Sequence, residues 1–104
     1  MPKDIIIAHD LKAATTKRSD LQLLEEDWED LRTKINDLTR KPLLNRFMKY
    51  FYGVEGDTEI KTHELGQLIR EIQSSRLDDK FLKNLINIAQ LAKEKGENLY
   101  FRAD

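Results

Sequence analysis

The chain contains no cysteine, which removes disulfides, thiolate metal sites and cysteine nucleophiles from consideration. Only four glycines and two prolines are present, and no glycine-rich run exists that would cradle a phosphate. The two histidines, His9 and His63, lie far apart and form no HxxxH-type pair, so zinc is not expected. The one early apolar run, Ile5-Ile6-Ile7-Ala8, stops at His9-Asp10 and is too short for a signal core or a membrane span. An excess of either charge is missing too, with 18 basic and 19 acidic residues. A net charge of −1 gives no bulk attraction to nucleic acid or to a membrane surface. Neither a nucleophile elbow nor a Ser/His/Asp pattern appears, and the chain is expected to be non-enzymatic.

What is present is 104 residues, 36% of them charged and 39% hydrophobic, the mix of one soluble helical domain with well-solvated faces. A cytoplasmic setting is expected from the lack of cysteine, and no membrane partner. Residues 1–18 read as an N-terminal arm in which Ile5–Ala8 is able to pair as a short strand. Residues 19–96 read as a single helical domain. Residues 97–104 read as a tail, because Glu97-Asn98-Leu99-Tyr100-Phe101 matches the first five residues of a viral protease cleavage site. Vector, natural and coincidental origins for it remain open, and it carries no weight in the fold expectation.

Four helices are expected. Ser19 with Gln22 forms a capping-box pattern that opens the first. Its apolar positions are Leu21, Leu24, Trp28, Leu31, Ile35 and Leu38, spaced 3, 4, 3, 4 and 3. That is a heptad seam, read either as a helix lying on its own bundle or as a coiled-coil homodimer. A second helix starts at Pro42 and buries Leu43, Leu44, Phe47, Met48 and Phe51. A third runs from about Thr62 to Ser74 with Leu65, Leu68, Ile69 and Ile72 inward. In the fourth, an aspartate of Asp78-Asp79 serves as cap and Gly96 as terminator.

Between the second and third helices lies Val54-Glu55-Gly56-Asp57-Thr58-Glu59-Ile60-Lys61-Thr62-His63-Glu64-Leu65. It sets acids around an isolated apolar residue, Ile60, with Glu64 four positions on. The segment resembles an EF-hand, specifically the shortened first hand of the calpain-like penta-EF family, over residues 54–65. The resemblance implies calcium held by the Val54 carbonyl, the Asp57 carboxylate, the Glu59 carbonyl and the Glu64 carboxylate. Without it, the stretch reads as a polar turn with Glu59 and Glu64 as first-turn acids.

The fold expectation is therefore all-α: a small four-helix bundle with an EF-hand-like helix–loop–helix and a short arm. The functional expectation is a protein–protein interaction or regulatory module. Its partner, another protein or a second copy, would meet the seam centred on Trp28. Alternatives are a metal-independent coiled-coil adaptor and a nucleic-acid binder. The latter would use Arg40, Lys41, Arg46, Lys49, Tyr50 and Tyr52, and is disfavoured by the neutral charge and the acidic run Glu25–Asp30.

Overall fold

A computed structural model of the chain describes residues 2–103. The all-α expectation is overturned: the protein is built on a four-stranded antiparallel sheet in the order β2-β1-β4-β3. The strands are β1 (Lys3–Ala8), β2 (Leu21–Leu23), β3 (Thr58–Ile60) and β4 (Asn98–Arg102). The helices are α1 (Leu11–Thr16), α2 (Glu25–Lys34), α3 (Pro42–Met48), α4 (Leu65–Ser74) and α5 (Lys80–Lys95).

The segments read as arm and tail form the middle of that sheet. β1 pairs with β4 through Ile5–Phe101, Ile6–Tyr100 and Ile7–Leu99. The isoleucine run is apolar throughout because both of its faces are covered. Ile5 and Ile7 join Leu99, Phe101, Leu23 and Ile60 on the inner face, against α2–α5. Ile6, Ala8 and Tyr100 form a smaller outer cluster under Ala13 and Ala14 of α1. A strand buried on two sides shows no alternation, so its pairing partner was not visible locally.

The first expected helix is also corrected. Ser19 caps nothing. Asp20 instead accepts from the Ile7 amide (2.8 Å), and its own amide donates to the Ile5 carbonyl (2.8 Å). Leu21 and Leu23 alternate as strand residues, and the helix begins only at Glu25. The heptad spacing of Leu21 and Leu24 with Trp28 thus spans a strand, a cap and a helix. Among the described residues no helical bundle or coiled coil carries a seam. Helix α2 ends at Lys34, and Leu38 lies on a separate 3-10 turn.

The later helices sit where the sequence put them. Pro42 occupies the first turn of α3, where its missing N–H costs nothing. The buried Glu71 of α4 reaches the same end and accepts from the Leu43 and Leu44 amides (3.0 and 2.9 Å). Asp79 caps α5 by accepting from the Leu82 amide (2.9 Å), and Gly96 ends it at φ 67°, a left-handed conformation suited to glycine. Lys3, fully buried on the inner face, donates to the carbonyls of Phe47 (3.3 Å) and Tyr50 (2.8 Å) and so closes the C-terminal end of α3.

Candidate interaction groove

The loop read as a calcium site folds differently from a helix–loop–helix hand. Val54–Gly56 is a 3-10 turn, Thr58–Ile60 is strand β3 paired with β4, and Thr62–Glu64 is a second 3-10 turn leading into α4. Ile60 pairs with Leu99 as a strand residue of the sheet. The side chains are engaged elsewhere. Asp57 accepts from the Ala103 amide (2.9 Å) and lies 3.6 Å from the Arg102 Nε. Glu59 pairs with Lys61 (3.5 Å). Glu64 accepts from the Lys61 amide (3.0 Å) and lies 3.7 Å from Arg46. Val54 is exposed at the surface. Among the described residues no three His, Asp or Glu side chains converge as a metal cluster would require.

The residues named for partner binding divide. Trp28, Leu31 and Ile35 are buried in the protein's own core, Trp28 at 8% exposure against the Phe51 ring (5.4 Å between centroids). Leu38 is half-buried against the same core. Leu21 is half-buried, and Leu24, the residue before α2, is 49% exposed. Of the six, Leu21 and Leu31 line an opening, and Leu24 does not.

That opening is a groove of about 300 Å³ along the outer side of β2. All three β2 residues line it. Leu31 of α2 and Phe81 of α5 add apolar surface, and Asp27, Asp30 and Asp79 stand around it against a single ammonium, Lys80. Asp30 shares its charge with Lys34 (2.7 Å), which holds the Lys34 ammonium above its ordinary pKa through that hydrogen bond. Asp79 is occupied with the α5 cap. Asp27 forms no ion pair among the described residues.

The charge has a local origin. Five carboxylates fall within Glu25–Asp30, where they favour the positive N-terminal end of α2. Core packing of Trp28 and Leu31 turns the acids outward. Asp79 is brought alongside from a distant part of the chain by its capping role. The acidic run was plain in the sequence; the strand edge beside it was not, because three residues of β2 give too little alternation to read.

Comparison with protein-family models, curated proteins and solved structures returns no match. The groove's chemistry therefore rests on its own residues. It holds carboxylates, amides, leucines and a phenylalanine, and no hydroxyl, thiol or imidazole. Such a lining suits the holding of a chain with apolar and cationic groups. Three of the basic-aromatic residues considered for nucleic acid are engaged within the protein. Lys41 is buried and donates to the Asn36 carbonyl (2.8 Å), Arg46 donates to Glu59, and Tyr52 donates to Glu25. No helix among the described residues is long and apolar enough to cross a membrane.

Proposed function

We propose that this chain is a non-enzymatic protein-interaction module and that the groove beside β2 takes a lysine- or arginine-bearing segment of another protein. One observation carries the reading: an open groove of mixed apolar and polar lining whose rim bears three carboxylates and one ammonium, next to a helix with five acids in six residues. A long cationic side chain lays its stem on Leu31 and Phe81 and its charged head against Asp27 and Asp30. Complementary charge of this kind sets specificity and speeds encounter. The lack of cysteine supports a reducing, cytoplasmic setting for the pair.

A homodimer through this face fits less well, since a two-fold contact would bring two acidic rims together. The test is calorimetric titration with a capped peptide of alternating lysine and threonine. Affinity is expected to fall as salt rises. In the double variant Asp27→Lys with Asp30→Lys it should weaken by about tenfold or more, a change of roughly 1.4 kcal/mol. Both positions are exposed, so the melting temperature serves as a folding control. Equal affinity for the variant and the parent protein overturns the reading.

A further inference from the structure

The two outer strands of the sheet are treated differently. The β3 edge is closed by α3: the Arg46 guanidinium donates to the Glu59 carbonyl (3.2 Å), and the Thr58 hydroxyl donates to the Arg46 carbonyl (3.3 Å). No comparable side-chain bond to the β2 backbone occurs among the described residues, although α5 packs against this strand. Its register runs to β1 alone, through Lys3–Leu23, Asp4–Gln22 and Ile5–Leu21. The Gln22 side chain turns back to Asp4 (2.8 Å) and does not mask the edge. A strand paired on one side aims part of its backbone N–H and C=O groups away from its partner, and such groups template a further strand. The groove runs beside this strand, since Leu21, Gln22 and Leu23 all line it.

Resting on the interaction reading above, we infer that the occupant binds as an extended chain and adds a fifth strand against β2. Side chains on an added strand alternate between the two faces. Those on the inner side meet Leu31, Phe81, Asp27 and Asp30; those on the outer side lie beside Gln22, in solvent. The occupant is thus a segment with lysine or arginine at every second position. Main-chain hydrogen bonds supply affinity, and the acid rim supplies selection. Charge complementarity chooses this occupant over a second copy, whose own β2 brings Asp27 and Asp30 with it.

The experiment uses the full chain and three capped hexapeptides of alternating lysine and threonine. One is unmodified, one is N-methylated at the lysine amides, and one at the threonine amides. Lysines held inward against the rim fix which amides face β2, so one methylated peptide should bind about tenfold or more weakly, and the other close to the parent. This follows from losing backbone bonds worth about 1 kcal/mol each. If both methylated peptides bind as the parent does, or both lose affinity equally, strand addition is overturned while the acidic groove stands. If no peptide binds at low salt, the groove reading falls as well. A dimer in light scattering that the unmodified peptide leaves intact assigns the edge to a second copy and overturns the proposal.

Discussion

Lys3 is the residue whose environment departs most from the ordinary. It is fully buried, 5.0 Å above the Phe47 ring, with two carbonyls for partners and, among the described residues, no carboxylate in contact. Burial lowers its pKa from 10.5 to about 8, and the charge of Asp57 offsets part of that effect. The sign of the pH dependence follows. Between pH 8 and 10.5 the unfolded chain holds this proton and the folded one releases it, so stability rises with pH across that window. The size is on the order of 3 kcal/mol at most. Chemical denaturation of the parent protein and of Lys3→Met from pH 7 to 10.5 should show this rise in the parent alone. Parallel curves would remove the assignment.

Glu71 and Gly56 offer sharper checks at the same scale. Glu71→Ala leaves the Leu43 and Leu44 amides without their acceptor and should cost about 2 kcal/mol, with Glu71→Gln losing less. A Cβ at Gly56 would stand 2.7 Å from the Phe51 carbonyl oxygen and 2.9 Å from the Ala103 Cβ. Gly56→Ala should therefore destabilise by about 1–3 kcal/mol. Urea melts of the three variants measure these values. In the sequence Gly56 stands out only as part of the segment between the second and third expected helices. Its contact with Phe51 is local, but the one with Ala103 depends on a distant segment returning to the Asp57 turn, which no local pattern announces.

Among the elements, β4 matters most and was the least visible. Leu99, Tyr100 and Phe101 are all at or below 1% exposure, between β1 and β3. Burying three such side chains is worth roughly 5–9 kcal/mol, comparable with the whole stability of a small domain. A chain ending at Gly96 should show no cooperative melt by circular dichroism. Retention of one would mean that the sheet does not depend on β4. Helices α3, α4 and α5 were readable because Pro42, Asp79, Gly96 and the periodic leucines act within a few residues. The strands were not, because their pairing joins residues 16–20 positions apart in β1–β2, about 40 in β3–β4 and 90 or more in β1–β4. The heptad count from Leu21 to Leu38 misled for a related reason: spacing alone does not say that the backbone stays helical.

The Val54–Leu65 segment belongs to this scale too. Its acids are tied to Arg102, Lys61, Arg46 and backbone amides rather than to one another. A ligand held by the folded state alone must raise its melting temperature. Millimolar calcium should leave that temperature unchanged. A concentration-dependent rise would reinstate the loop as a metal site.

At the scale of the whole molecule, a net charge of −1 conceals an uneven surface. Acids gather at the β2 edge, along α2 and at the start of α5, while Arg70 and Lys93 lie in a separate groove between α4 and α5. Composition alone averages these away, and only the fold reveals that Asp79 joins Asp27 and Asp30 across some fifty residues of chain. The central claim is that the β2 groove is where this protein meets a cationic chain. It is tested most directly by following backbone amide resonances of the ¹⁵N-labelled protein during titration with the unmodified lysine–threonine peptide. The predicted result is saturable, salt-sensitive shifts confined to residues 21–31 and 79–84. Shifts centred on the outer face around Tyr100, or none at any residue, would contradict it.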